Sequence, residues 1–335
     1  MVHQIQKMGQ VVHRMSKAGF VTIAGKPNVG KSTLMNTMIG QKLAITSYKP
    51  QTTRKQMRTV YTDKRGQIVF LDTPGMNAAK TGSAAGTAYT GYFRTQLGDY
   101  MEKAAESSLD EVDVILLLVE PKGKVTPEDE AIIKLLPKSR ADGGKSTVFL
   151  VVNKIDAVPN DKVAATIEVF SKEYRFDEII PVSARSKTGV EDLISTMFMH
   201  LPDGAPFYDE DTVTNVNERD LVADIIREKA LRLLQDEVPH GVAVTVDSFK
   251  YRKGREGVTI CDIDASIITE KETHKAIIIG KGGEMLKKIG IVARIDIENL
   301  IQNKVNLKLW VKVRKDWRDD DQQLKSYGYN IKDLK

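Results

Sequence analysis

Over its first two hundred residues the chain alternates two hydrophobic rhythms. Short, β-branched apolar runs at Phe20–Ala24, Gln67–Leu71, Val112–Val119, Thr147–Val152 and Ile179–Val182 are bounded by turn residues and predict strands. Amphipathic spacing at Lys31–Ile39, Asp129–Leu136, Val163–Tyr174 and Val190–His200 predicts helices between them. This alternation predicts an α/β fold with a mostly parallel sheet covered on both faces. Pro202, Gly204 and Pro206, followed by Asp209–Asp211, mark a linker over residues 201–217. Beyond it the rhythm changes. A helix at Arg219–Gln235 precedes alternating strands at Val242–Lys250 and Val258–Ile268. A short helix, a glycine turn, a longer helix ending near Leu300 and a last strand at Val305–Val313 complete an α+β unit. The expected division is an N-terminal extension over 1–17, an α/β domain over 18–200, the linker, and an α+β domain with a C-terminal tail over 218–335.

Composition narrows the class. With 335 residues, 41% of them hydrophobic, the chain can bury about two cores and is not a disordered polymer. One cysteine, Cys261, excludes an intramolecular disulfide framework and a multi-cysteine zinc site. The longest apolar stretch, Val114–Val119, is far short of the ~20 residues that span a bilayer. The opening residues lack the apolar core of a secretory signal. A soluble cytoplasmic protein is expected. The net charge is only +5, but residues 250–318 hold 16 basic against 9 acidic side chains, so a polyanion is expected to meet the C-terminal domain.

The first candidate chemistry follows the first strand. Gly25-Lys26-Pro27-Asn28-Val29-Gly30-Lys31-Ser32 fits G-x-x-x-x-G-K-[ST] between a strand and a helix. Gly25 and Gly30 permit a tight wrap, and backbone N–H groups from Asn28 and Val29 through Thr33 point at bound phosphates. Lys31 reaches the β- and γ-phosphates, and the Ser32 hydroxyl is a Mg²⁺ ligand. Asp72 of Asp72-Thr73-Pro74-Gly75 ends a strand, where its carboxylate can hold Mg²⁺ through water, and the Gly75 N–H can sense a γ-phosphate. In Pro50-Gln51-Thr52-Thr53-Arg54, Thr53 is the favoured switch hydroxyl over Mg²⁺, with Thr52 as its rival. Asn153-Lys154-Ile155-Asp156 ends another strand. One carboxylate accepts from guanine N1–H and N2–H₂ together, which fits Asp156; adenine would leave it unpaired. Asn153 supplies amide bonds to the base edge and the neighbouring loop, and the stem of Lys154 covers the base. Ser183-Ala184-Arg185 offers backbone N–H groups to guanine O6, with Ser183 bracing the loop.

In the order GKPNVGKS, PQTTR, DTPG, NKID and SAR, these motifs resemble the Era family of translation-factor-class GTPases, and the resemblance runs from about Ala18 to the end of the chain. Met76 stands where many small GTPases carry the glutamine that orients the attacking water. A thioether cannot do so, which predicts slow intrinsic hydrolysis and leaves the catalytic residue unassigned. The Gly/Ala-rich stretch between Met76 and Met101 and the loop near Ser139–Lys145 are longer than the family pattern.

The C-terminal run Lys275–Gly290 resembles a KH domain, with the G-x-x-G turn Gly280-Lys281-Gly282-Gly283 between two helices. Ile279 ends the helix before the turn; Lys281, Lys287, Lys288 and Arg294 add positive charge, and Ile277–Ile279 with Ile289 are expected to wall an apolar groove for unstacked bases. The element order resembles the bacterial, type II arrangement. Trp310 alternates with apolar residues and is expected in the core; Trp317 is open. A P-loop GTPase followed by a type II KH domain implies, through the family, GTP/GDP and Mg²⁺ as ligands. It also implies a monomer that binds the 3′ end of 16S rRNA and acts in small-subunit assembly and 16S rRNA maturation. A lesser role, peripheral at the cytoplasmic face of the membrane, would act through the basic domain meeting anionic lipid. A non-catalytic RNA scaffold and an ATP-dependent kinase or transport ATPase are the rival readings; Asp156 argues against the last.

Overall fold

The computed structural model describes residues 16–41, 43, 57–72, 96–97, 112–235, 238–254 and 257–329. Thr52, Thr53, Gly75, Met76 and the stretch 77–91 lie outside them.

Among the described residues the N-terminal unit is a six-stranded sheet in the order β2-β3-β1-β4-β5-β6. The strands are β1 (Lys17–Ala24), β2 (Met57–Asp63), β3 (Gly66–Asp72), β4 (Val114–Val119), β5 (Thr147–Val152) and β6 (Glu178–Pro181). All neighbours pair in parallel except the β2/β3 hairpin. The runs Val-Ile-Leu-Leu-Leu-Val of β4 and Thr-Val-Phe-Leu-Val-Val of β5 are buried throughout, as central parallel strands covered on both faces must be. Helices α1 (Lys31–Ile39) and α4 (Val190–His200) close one face, and α2 (Pro127–Leu135) and α3 (Asn160–Glu173) the other. In α4 the buried positions Val190, Leu193, Ile194, Met197 and Phe198 form one helical stripe.

β2 was not among the strands expected from sequence. Its run Met-Arg-Thr-Val-Tyr-Thr-Asp is half polar, and its outer edge is sealed by the chain's own linker. Val60 donates its N–H to the Val213 carbonyl at 2.8 Å, Thr59 bridges Thr214 antiparallel, and Asn215 bonds Arg58 through both backbone and side chain. Buried Gln67 accepts from the Phe207 and Tyr208 N–H groups and donates to the Tyr208 carbonyl. The linker is therefore an added sheet edge, which satisfies outward hydrogen bonds of Arg58 and Val60 in β2.

The C-terminal unit runs α5 (Glu218–Leu233), β7 (Ala243–Lys253), β8 (Thr259–Thr269), α6 (Glu272–Ile279), α7 (Glu284–Ile301) and β9 (Lys304–Val313), then a short α8 (Asp321–Ser326). Its sheet is ordered β7-β8-β9, antiparallel and then parallel. Helices α5, α6 and α7 pack one face through Val222, Ile226, Ala230, Ile278, Ile289, Ala293 and Ile297. This is the expected helix–strand–strand–helix–helix–strand order. At one end of the opposite face, Trp317, Leu324 and Tyr329 cover Ala243 and Ile268. Trp317 is fully buried and donates its indole N–H to the Gly241 carbonyl at 3.1 Å.

Candidate functional site

Gly25 to Thr33 leave β1, wrap, and enter α1. Both glycines are needed on steric grounds. Gly30 has φ 106°, and a Cβ there would overlap the Asn153 amide; Gly25 has φ 149°, and a Cβ would sit 2.5 Å from the Leu118 carbonyl oxygen. Asn28 also takes a left-handed φ of 69°. α1 starts on Gly30 with no side-chain cap and no acidic residue in its first turn, so its first N–H groups face the loop and favour an anion. Lys31 donates from Nζ to the Gly25 and Lys26 carbonyls at 2.6 and 3.0 Å, which holds it over the cradle.

Asn153 joins the loops. Its Nδ2 donates to the Val29 carbonyl at 2.8 Å, and its Oδ1 accepts from the Ala184 N–H at 3.0 Å. One buried side chain thereby ties the phosphate loop to the Ser183-Ala184-Arg185 loop, the neighbouring-loop part of its expected role. Ser183 donates its hydroxyl to Asp156 Oδ1 at 2.6 Å and accepts the Ser186 N–H at 3.1 Å, fixing the Asp156 carboxylate beside the loop of Ala184. Lys154 takes φ 64°, donates to the Asn28 carbonyl at 2.7 Å and pairs with Glu120. Asp72 ends β3, hydrogen-bonded beside β1, so its backbone reaches the sheet edge from which the phosphate loop leaves.

Two supports escaped the sequence reading. Lys26 Nζ pairs with Asp129 Oδ2 at 2.8 Å and donates to Thr126 Oγ1 at 3.1 Å, anchoring the phosphate loop to the capping box that opens α2. The signal in sequence is Thr126-Pro127-Glu128-Asp129; its partner lies about a hundred residues upstream and is not deducible from spacing. Glu120, just past β4, accepts from Lys122 and Lys154. Burial alone would raise its carboxyl, but the hydrogen bonds from Lys122 and Lys154 outweigh that and hold it below the usual glutamate range.

In the C-terminal unit the Gly280–Gly283 turn has φ values of 73°, 60° and 82° at Gly280, Gly282 and Gly283. A Cβ at Gly280 would press 2.8 Å from that of Met285, while Gly282 and Gly283 face open space. The turn delivers the uncapped start of α7. Between α7 and β9 runs a groove of about 390 Å³ lined by Gly283, Leu286, Lys287, Ile291, Arg294 and Leu309, among others.

The comparisons agree with this geometry. A family model described as "50S ribosome-binding GTPase" matches residues 20–154, and one described as "KH domain" matches residues 237–318. GTPase Era of Clostridium novyi (strain NT) is 48% identical over 315 residues, spanning 94% of this chain and 99% of that protein. GTPase Era of Clostridium kluyveri is 47% identical over 94% of this chain and 100% of its own. The chain belongs to the GTPase Era family. Among solved structures, an Aquifex aeolicus Era variant bound to GDP·AlF4⁻ superposes with TM-score 0.82 at 38% identity, covering 93% of this chain and 99% of that one. Era in complex with MgGDPNP and nucleotides 1506–1542 of 16S ribosomal RNA superposes equally, at 37% identity over 94% and 99%.

Within this Era-family chain the KH expectations need two corrections. Ile278 and Ile289 are core residues and do not wall the groove; Leu286, Ile291, Leu307 and Leu309 do. Lys287 and Arg294 line the groove, whereas Lys281 and Lys288 are exposed beside it and Ile279 is half-buried. Trp310, expected in the core, is 58% exposed. Leu309 and Val311 share the inner face of β9, so strand alternation turns Trp310 outward.

The two units also meet through apolar contacts. Leu43 and Met57, on either side of the stretch holding Thr52 and Thr53, are buried in one cluster with Leu221 of α5, and Leu300 of α7 packs against it. Leu97 is fully buried with Trp317, Ile268, Leu324 and Tyr329, and the Gln96 N–H donates to Asp319 at 3.1 Å.

Proposed function

We propose that the protein is a GTP-hydrolysing switch whose nucleotide state governs how its KH domain holds the 3′ region of 16S rRNA during small-subunit assembly. We divide the chain into a GTPase domain over 18–200, a linker over 201–217 and a KH domain with its tail over 218–335. Gly25, Asn28, Val29, Gly30, Lys31, Ser32 and Thr33 are assigned to the phosphates, and Asn153, Lys154, Asp156, Ser183 and Ala184 to the guanine. Ser32 and Asp72, with Thr53 and Gly75 in the switches, would hold Mg²⁺ and read the γ-phosphate. Mg²⁺, when bound, neutralises charge on the β- and γ-phosphates. Gly280–Gly283, Lys287 and Arg294 meet RNA, with Ile279, Lys281 and Lys288 at the margins.

The observation that carries the reading is the pair of hydrogen bonds made by the Asn153 amide, which links the phosphate cradle to the loop beside Asp156. One rigid side chain thus holds the phosphate loop and the base loop together, and the Ser183 bond fixes Asp156, the carboxylate that would accept from guanine N1–H and N2–H₂. The GTPase model's description names the 50S particle; the 16S rRNA held by the Era relative favours the small subunit. Contacts from both sides of the first switch stretch, and from Leu97 after the second, supply a route from nucleotide to KH domain. The protein acts as a cytoplasmic monomer. Among the described residues no helix is long and apolar enough to cross a membrane, so attachment to one would be peripheral.

The test is nucleotide competition with Asp156→Asn. The wild type should bind GDP and GTP and resist ATP; the variant should lose about a hundredfold of that preference, the worth of two hydrogen bonds to a charged acceptor. Unchanged guanine preference in the variant, or displacement of GTP by ATP from the wild type, refutes the assignment.

A further inference from the structure

Among the described residues β9 is an edge strand, hydrogen-bonded to β8 alone. Its two faces differ in chemistry. Val305, Leu307, Leu309 and Val311 turn toward the helices and pack in or against the core. Lys304, Asn306, Lys308, Trp310 and Lys312 alternate with them and are exposed on the other face. That face of β9 carries three lysines, no carboxylate, and an indole 58% open to solvent.

The acidic groups nearby belong to the other strands. Asp264 of β8 stands opposite Lys308, and Asp262 opposite Asn306, whose amide donates to it at 2.9 Å. Asp262 is also paired with Arg252 of β7. Asp247 of β7 accepts from Ser266 at 2.5 Å and from Lys312 at 2.9 Å, so the Lys312 side chain reaches inward across β8 from a strand position two beyond Trp310. Positive charge on this face therefore rises from β8, with Asp262 and Asp264, to β9, with its lysines, while the Lys312 ammonium reaches across to Asp247 on β7.

The same strand borders the RNA groove, since Val305, Asn306, Leu307 and Leu309 line it from the opposite side. A chain leaving the groove over the edge of β9 passes directly onto Lys308, Trp310 and Lys312, spaced about 7 Å apart along the strand. An exposed aromatic between cations is the arrangement on which single-stranded bases stack while their phosphates are neutralised.

We propose that this outer face of β9 is a second RNA subsite, continuous with the G-x-x-G groove: Trp310 stacks one base of the strand leaving the groove, and Lys308 and Lys312 meet the adjoining phosphates. The inference rests on the RNA-binding reading of the groove and extends the footprint beyond the about four nucleotides such a turn clamps.

Tryptophan emission tests it on the full chain, because the two indoles are opposite in exposure. The probes are a ten-nucleotide single-stranded RNA from the 3′ end of 16S rRNA and a four-nucleotide piece of it. The longer RNA should quench Trp310 while buried Trp317 stays unchanged. Trp310→Ala should weaken the longer RNA by about 5- to 150-fold, leave the shorter unaffected, and be partly rescued by Trp310→Phe. Lys308→Gln with Lys312→Gln should reduce the slope of log affinity against log salt by about 1.4 for the longer RNA. Residual Trp317 emission checks that Trp310→Ala is folded. If the shorter RNA binds and the longer one neither quenches Trp310 nor loses affinity in Trp310→Ala, the subsite is wrong and the groove stands. If only the longer RNA binds, and it depends on Trp310 but not on Gly282→Asp, the groove reading falls and the β9 face stands. If neither RNA binds, both fall.

Discussion

Lys26→Met isolates a contact on which the shape of the phosphate loop depends. The Lys26–Asp129 pair spans 2.8 Å with side chains only 14% and 4% exposed, so solvent screens it little. Removing one partner of a buried pair costs about 3–5 kcal/mol because the other charge is stranded. Here Thr126 still donates its hydroxyl at 2.7 Å and its N–H at 3.1 Å to Asp129, which brings the expected loss to about 2–3 kcal/mol. Neutralising the stranded group in Lys26→Met/Asp129→Asn should restore at least about 1 kcal/mol. The Lys26 carbonyl also positions Lys31, so GDP affinity should fall about tenfold in the single variant and recover with stability in the double. Urea unfolding and GDP titration read the two effects. If Asp129→Asn adds its own loss to that of Lys26→Met, the brace is not a coupled pair and the reasoning fails.

Three further outcomes are expected. Leu97→Ala removes about 2–3 kcal/mol of buried contact between the GTPase unit and the Trp317 cluster, and should compress the ratio of RNA affinities in the GTP-analogue and GDP states; a folded variant with an unchanged ratio breaks the proposed route. Glu120 is held below the ordinary glutamate value of 4.5, so its ionised pairing stabilises the fold above that pH and is lost as pH falls through the folded value; Glu120→Gln should flatten urea stability measured downward from pH 4.5, and an unaltered profile contradicts the role. Lys281→Asp with Gly282→Asp should weaken RNA binding at least about tenfold while GDP affinity stays at wild type, as measured by filter binding and nucleotide titration.

The buried runs of β4 and β5 and the phosphate loop were plain in sequence because local pattern alone determines them: a central parallel strand must be apolar throughout, and a cradle between strand and helix needs its glycines. β2 was not, because its partner on one side is the linker some 150 residues away, and a half-polar run becomes a strand only when that edge is sealed. The Lys26–Asp129 brace was hidden for the same reason, being set by which loops the topology brings together. Trp310 is a different case. Alternation places it opposite Leu309 and Val311, so its exposure was written in the strand; reading its neighbours as packing partners overlooked the period of two. The KH isoleucines divided by helix phase, with Ile278 and Ile289 facing the sheet and Ile291 the groove.

Coupling between the two units is tested most directly by titrating a 16S rRNA 3′-end oligonucleotide against the full chain saturated with Mg²⁺ and either GDP or a non-hydrolysable GTP analogue. A coupling of about 1–3 kcal/mol predicts RNA affinities differing by at least about fivefold, with the reciprocal change in nucleotide affinity when RNA is bound. Equal RNA affinities in the two states, with both nucleotides demonstrably bound, would contradict it.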